Sequence, residues 1–542
     1  MHAAGQRSAE QSRPRVRFRG IVVTGIAALL VPLAAVHDPE PGGAVAARPR
    51  GTDFNGDGYD DLVIADAVFD AGAFSAGAVW VVPGSATGPR PANVSGWSQS
   101  RAGMAGNPEA FDRFGASWTA GDFNADGYHD LGVCIPGERV AGVAGAGAVS
   151  VILGSPTGLR ATGSKLLSRA TAGVPGSPSQ FENWCNEGLA TGDFNRDGRD
   201  DLAVASPYAD VGAVDEAGSI TVLLSSASGP SGVGAAEISQ ASPGVPGSPE
   251  DGGWLSRVGL RVGDFNGDGY DDLTVSASEM TTDGLPGAGG IYVLRGSQSG
   301  LRTNTTQLIT RAMPGVPGDP QGSDRFGFGV PAVADWNRDG FDDLVVGDHT
   351  ADAGGVEESG QIVLLRGSTS GLVAAGGKTI HQDSPGVPGI GEESDQFGGT
   401  ALSAGDFNGD GRPDVAAGAY LEDVGVGIDA GAFFTFPGTA NSIGTTGAKL
   451  FTQDTAGVPG APANVAHFSD GQLWTGDFNG DGYDDLVVPC RWCDIGALYQ
   501  AGYVMVFRGS PTGTTVGGLR QIKRSSLPGQ TDAADGEFGG AF

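Results

Sequence analysis

Residues Asp53–Leu62 read DFNGDGYDDL: four aspartates, one asparagine and two glycines in ten residues, the composition of a tight polar turn rather than of a core. The same pattern starts again at Asp122, Asp193, Asp264, Asp335, Asp406 and Asp477, at spacings of 69 and then 71 throughout. A second marker, a glycine-led apolar run, keeps the same period. It reads GAVWVVPG from Gly77 and recurs from Gly147, Gly218, Gly289, Gly360, Gly431 and Gly502. Two independent markers with one period make the repeat the organising fact of the chain.

Each unit reads as short strands. In the sixth, DQFGGTALSAG, VAAGAY, GAFFTFPG and GAKLFTQDT are four runs bounded by Gly, Pro, Asn and Asp. A recurrent GVPG (Gly173, Gly244, Gly315, Gly386, Gly457) leads into the next unit. Four antiparallel strands repeated seven times predict an all-β, seven-bladed β-propeller over 47–542. A solenoid is the alternative, and its repeats are shorter. The first unit begins without an FG strand, whereas DGEFGGAF at Asp535–Phe542 supplies one with no acidic loop after it. The C-terminal strand is therefore expected to close the ring on blade 1.

Within the motif, oxygen-bearing side chains alternate around a turn that the glycine at position 6 permits. Position 1 is Asp53, Asp122, Asp193, Asp264, Asp335, Asp406 or Asp477, and position 3 is Asn55, Asn124, Asn195, Asn266, Asn337, Asn408 or Asn479. Position 5 is Asp57, Asp126, Asp197, Asp268, Asp339, Asp410 or Asp481. Position 9 is Asp61, Asp130, Asp201, Asp272, Asp343, Asp414 or Asp485. The carbonyl of position 7 adds a further oxygen: Tyr59, Tyr128, Arg199, Tyr270, Phe341, Arg412 or Tyr483. Such hard oxygen sets suit Ca²⁺, up to seven ions with one per blade, better than Zn²⁺, Cu²⁺ or Mg²⁺.

An EF-hand needs Glu at position 12 between helices. Here position 12 is apolar in all seven copies (Ile64, Val133, Val204, Val275, Val346, Ala417, Val488), so these are hairpin loops closed from position 9. A metal-free Asx-turn is the bland alternative. Seven copies of three crowded carboxylates argue against it, because like charges repel unless a cation lies between them. Seven Ca²⁺ would move the formal charge from −31 to −17.

The chain resembles the FG-GAP repeat family, whose best-known member is the propeller of integrin α subunits. The FG half stands at Phe114-Gly115, Phe326-Gly327, Phe397-Gly398 and Phe538-Gly539, while Trp184-Cys185, Leu255-Ser256 and Phe468-Ser469 depart from it. The GAP half survives loosely, as GAY at Gly418. The resemblance implies that each loop joins a blade's first and second strands and binds Ca²⁺ through those five positions.

Composition agrees with an all-β exported protein. The chain has 542 residues, 95 of them glycine, with 39% hydrophobic and 18% charged residues. A net charge of −31 disfavours nucleic acid and anionic lipid as partners. Arg7, Arg13, Arg15, Arg17 and Arg19 precede the apolar run Ile21–Val36, and AVA follows at Ala44–Ala46. These are the parts of a secretory signal over 1–46 with cleavage near Ala46. The run is short for a stable membrane span and contains Pro32.

Four cysteines in an exported chain suggest two disulfides. Cys134 and Cys185 are expected on neighbouring blades, on the face away from the acidic loops, which leaves Cys490 and Cys493 as a local pair. His129, His349, His381 and His467 fall at different repeat positions, and His129 replaces the Asp, expected to be exposed, of position 8. No G-x-S-x-G or H-E-x-x-H motif is present, so no catalytic residue is assigned.

The loops between second and third strands vary most. Their acids (Asp210, Asp215, Glu216, Asp352, Glu357, Glu358, Glu422, Asp423, Asp429) are expected to form a soluble rim or a platform for a cationic ligand. The function expected is a secreted, monomeric, calcium-binding scaffold for adhesion or recognition of an extracellular protein or glycan. The alternatives are a lectin-like binder or an extracellular hydrolase akin to glycosylphosphatidylinositol-specific phospholipase D.

Overall fold

In the computed structural model, residues 51–532 are described, apart from 187, 400 and 401, together with residue 538. The expected leader, residues 1–46, and the end of the chain, 539–542, lie outside the described residues.

Seven antiparallel blade sheets follow one another along the chain, with a small two-stranded ribbon, Ser225–Ser226 with Gly229–Pro230, between the third and fourth strands of the third. Blade 1 has three described strands, Leu62–Asp66, Ala78–Val82 and Ser95–Trp97. Blade 2 is complete, with Trp118–Gly121, Asp130–Ile135, Ala148–Leu153 and Arg160–Leu167 in sheet order. Blades 3 to 7 repeat that order, opening at Leu189–Gly192, Leu260–Gly263, Ala332–Ala334, Leu402–Gly405 and Trp474–Gly476. The protein is an all-β seven-bladed propeller, as the repeat predicts.

Second and third strands are buried at almost every residue, because each sheet is covered by a neighbouring blade on both faces. That is why they read as unbroken apolar runs rather than as alternating ones. The FG pair forms a corner ahead of the first strand, not part of it: Phe114 is fully buried and Gly115 has φ +94°.

The glycine opening each third strand is fixed by this corner. A Cβ at Gly77 would lie 2.3 Å from Phe114 O, and at Gly147 2.4 Å from Trp184 O, both on the following blade. Around the ring, the corner residue donates its N–H to the residue before that glycine, as in Phe114 to Ala76 (2.8 Å) and Phe468 to Ala430 (2.8 Å). Phe538 occupies this place for blade 1. Its N–H bonds Ala501 O at 3.3 Å, its carbonyl would meet a Cβ on Gly502, and its ring lies 6.2 Å from Trp80. The C-terminal residue that is described thus bridges blades 7 and 1. Trp118 and Trp474, on the first strands of the two flanking blades, touch edge to face at 5.3 Å.

Because hairpins alternate direction, the acidic loops and the hairpins between third and fourth strands share one face. The loops between second and third strands share the other face with the connections between blades.

Candidate metal centres

Each acidic loop wraps around its first aspartate. Asp53 Oδ1 accepts the N–H groups of Asn55, Gly56 and Asp57 at 3.3, 2.7 and 3.2 Å, and Oδ2 accepts that of Gly58 at 2.8 Å. The position 6 glycines hold φ between +76° and +89°. A Cβ on Gly58 would meet nothing within 4 Å, so glycine is needed there for its backbone conformation and not for space. The carboxylate at position 5 accepts the N–H of position 7, as in Asp57 with Tyr59 at 3.1 Å.

Position 9 is the buried member. Asp130, Asp201, Asp272, Asp343 and Asp485 are fully inaccessible and open their second strands. One oxygen ties the loop to the neighbouring hairpin: Asp130 Oδ1 accepts from Gly154 N (2.7 Å), Asp201 Oδ1 from Ser225 N (2.7 Å) and Asp414 Oδ1 from Gly438 N (2.7 Å). The second oxygen faces the loop. In blades 2, 4, 6 and 7 the asparagine of position 3 donates to the position 9 carboxylate at 3.0–3.3 Å. Asp201 Oδ2 is buried without a hydrogen-bond partner.

Burial, followed by backbone hydrogen bonds that oppose it and by repulsion from positions 1 and 5, leaves Asp130 and Asp201 pushed up to about 8, and Asp61, Asp272 and Asp414 to about 7. The repulsion shows only that the three carboxylates of a loop lie near enough to oppose one another's ionisation. Two loops differ. Arg366 Nη1 lies 2.5 Å from Asp343 Oδ2 and opposes the effect of burial there, leaving Asp343 at about 6, while Arg508 Nη1 lies 3.2 Å from Asp485 Oδ2, which burial still holds at about 7. Among the described residues no three acidic, histidine or cysteine side chains are gathered at metal-ligating distance, because the acids at positions 1 and 5 turn onto their own backbone.

Position 8 corrects the sequence reading. It lies in the seam between blades, not in solvent. Its N–H donates to the carbonyl of position 1 in the preceding blade, and its carboxylate accepts the N–H of that same residue. Asp60 Oδ2 bonds Asp477 N (2.9 Å), Asp200 bonds Asp122 (2.9 Å) and Asp271 bonds Asp193 (2.7 Å). Asp342 does so with Asp264 (2.9 Å) and Asp484 with Asp406 (2.7 Å). The reciprocal main-chain bonds span 3.0–3.4 Å. His129, only 6% exposed, keeps the main-chain bond to Asp53 O at 3.4 Å but has an imidazole in place of the carboxylate. Pro413 has neither an N–H nor a carboxylate.

A belt on the opposite face escaped the sequence reading. Gln99, Arg169, Gln240, Arg311, Gln382, Gln453 and Arg524 recur at 70 and then 71 residues, and all but the partly exposed Arg524 are buried in the seams. Where the belt has Gln, the next blade offers Glu138, Met280, Glu422 or Cys493 to its amide. Where it has Arg, that position is Ala209, Ala351 or Phe69, and the guanidinium reaches acids instead: Arg169 meets Glu182 and Glu237, Arg311 meets Asp324 and Asp348, and Arg524 meets Asp66. The recurrence of Gln or Arg at the repeat period was the available signal.

Two disulfides form as expected. Cys134–Cys185 joins blades 2 and 3 with Cα atoms 5.6 Å apart, and Cys490–Cys493 closes a local pair at 5.3 Å. Of the rim acids, Asp210, Asp352 and Asp423 accept N–H groups six residues on and close their own loops (3.0, 3.0 and 2.9 Å). Glu422 is not on the rim; it is 7% exposed against Gln382. The four described histidines share no site: His349 packs tilted against Phe328 at 4.5 Å, and His467 lies beside Asp470, which Arg491 and Trp492 already engage.

The fold and its loops define a seven-bladed β-propeller with one acidic hairpin loop in each blade. Residues 49–82, 186–223, 258–294 and 398–433, in blades 1, 3, 4 and 6, match the FG-GAP repeat model. The chain is similar to integrin alpha pat-2 of Caenorhabditis briggsae, 29% identical over 272 residues that cover 48% of this chain and 20% of that protein. It is also similar to phosphatidylinositol-glycan-specific phospholipase D of Bos taurus, 32% identical over 178 residues covering 32% and 20%. Human integrin alpha-IIb is 30% identical over 176 residues covering 32% and 15%. The chain thus spans about a fifth or less of the length of these relatives. Among the described residues no helix is long and apolar enough to cross a membrane.

Proposed function

We propose that the chain is an exported, calcium-binding recognition propeller. The donor set fits Ca²⁺: in each loop the side chains at positions 1, 3, 5 and 9 and the carbonyl at position 7 would hold the ion. When bound, the ion supplies the positive charge that three facing carboxylates lack. The two disulfides and the leader expected at 1–46 support an oxidising, extracellular destination.

The observation that supports recognition is an apolar arc on the face away from the acidic loops. Exposed Val426, Ile428 and Val465 (blades 6 and 7), Tyr499 (blade 7), Phe74 and Phe111 (blades 1 and 2) and Phe181 (blade 3) all lie in loops of that face. Phe111 and Phe181 hold φ of +69° and +62°, rare for bulky residues, while exposing 56% and 66% of their surface. Phe74 and Phe111 meet edge to face at 5.2 Å. On blades 3 to 6 the same face carries exposed acids such as Asp215, Glu357, Glu392 and Glu393. An apolar arc beside an acidic one suits a protein surface with apolar and basic groups. The similarity to integrin α chains supports this reading; a hydrolase reading has only the phospholipase D likeness behind it.

The test is binding to arrayed glycans and extracellular proteins by the wild type and by a Phe74→Ser, Phe111→Ser, Phe181→Ser variant. A ligand lost by this variant and kept by Val233→Ser, on the opposite face, supports the reading. Equal binding by both, or turnover of ester or phosphodiester substrates, overturns it.

A further inference from the structure

We infer that the seven acidic loops bind Ca²⁺ not independently but in two coupled runs, four loops in blades 2 to 5 and three in blades 6, 7 and 1. The inference rests on the calcium reading above and concerns how the sites communicate.

The coupling element is the seam at position 8. That residue lies between two atoms of its own loop that would face the ion, the position 7 carbonyl and the position 9 carboxylate. It also grips both the N–H and the carbonyl of position 1 in the preceding loop, whose carboxylate would be a ligand there. Ordering one loop around an ion therefore fixes the main chain from which the next ligand springs. Ordering that is already done lowers the entropy cost of the second ion, which is positive coupling without any change of fold.

The grip is complete at five seams and fails at two. At the seam of blades 5 and 6, Pro413 removes both halves. The flanking side chains there are basic on both sides, with Arg338 Nη2 lying 2.7 Å from where a Gly411 Cβ would stand. At the seam of blades 1 and 2, His129 keeps the main-chain half and has an imidazole where the gripped seams have a carboxylate. Two breaks in a closed ring leave two runs. Arg366 and Arg508, which compete for position 9, fall one in each run and so do not themselves create the division.

Native mass spectrometry of the purified chain titrated with calcium reads the distribution of bound ions directly. Coupling of roughly 5–150-fold per gripped seam predicts that species with three, four and seven ions dominate, with one, two, five and six depleted. Pro413→Asp should join the runs and leave mainly the empty and seven-ion species. Asp271→Ala should cut the longer run and restore two-ion steps. A smooth binomial spread that neither variant alters overturns the coupling while leaving the sites intact. No calcium adduct at any concentration overturns the calcium reading itself.

Discussion

Asp60 and Asp477, 417 residues apart in sequence, exchange two hydrogen bonds: Asp60 Oδ2 accepts Asp477 N–H at 2.9 Å, and Asp60 N–H donates to Asp477 O at 3.3 Å. The other oxygen of Asp60 accepts Thr52 N–H at 2.9 Å. One side chain thus fixes the entry to the first loop and the seam between first and last blades. Asp60→Ala leaves two part-buried N–H groups without this acceptor, and such hydrogen bonds contribute about 0.5–1.5 kcal/mol each. The variant is expected to melt earlier by calorimetry, and at lower urea, than the wild type.

The Cys134–Cys185 bridge spans 51 residues and staples blades 2 and 3. Loop-closure entropy assigns such a bridge about 4 kcal/mol. A Cys134→Ser, Cys185→Ser variant is expected to lose roughly 2–4 kcal/mol in denaturant titration. Thiol labelling of the unfolded, unreduced wild type should find no free thiol.

Glu422 makes stability depend on pH. Burial, reinforced by Asp395, pushes its carboxyl up to about 8 from an ordinary 4.5, so the folded protein holds a proton that the unfolded chain releases. The stabilisation is complete below pH 4.5 and is lost as pH rises through about 8. Glu422→Gln keeps the shape without the charge. Above pH 8 it should be more stable than wild type, by an amount on the order of a few kcal/mol, and the difference should vanish near pH 4. His349, pushed down to about 4 by burial and by the nearby Arg325, acts in the opposite sense, costing stability as pH falls from 6.5 toward about 4.

Arg508 both pairs with Asp485 and donates from Nη2 to Thr87 O at 2.7 Å across the seam to blade 1. Arg508→Gln is therefore expected to weaken the ring in chelator yet free a position 9 carboxylate for the ion. Melting curves should show a larger calcium-induced rise for this variant than for wild type.

Repeats made the fold legible. The period counted the blades, and the apolar residue at position 12 placed each loop on a hairpin. The glycine at Gly77 and its equivalents was visible as a marker, but its cause was not, since the colliding atoms belong to the next blade's corner. Position 8 was misread for the same reason: a single unit shows Asp60 as one more acid in a polar turn, and only the closed ring brings Asp477 to it. The Gln and Arg belt was written at the repeat period, yet its meaning depends on pairs such as Arg311 with Asp348, set 37 residues apart on different blades. Rim acids such as Asp210 looked available for ligands until their own loop N–H groups were seen to use them.

The central claim is that calcium at the acidic loops holds this propeller together. Calorimetric melting of the purified chain in about 1 mM calcium, within the range of extracellular modules, and again in excess EGTA, tests it most directly. At ten times the dissociation constant each occupied loop adds about 1.4 kcal/mol, so the midpoint should rise by many degrees in calcium and fall back on chelation. Coincident midpoints would contradict the claim and leave the seven loops as metal-free Asx-turns.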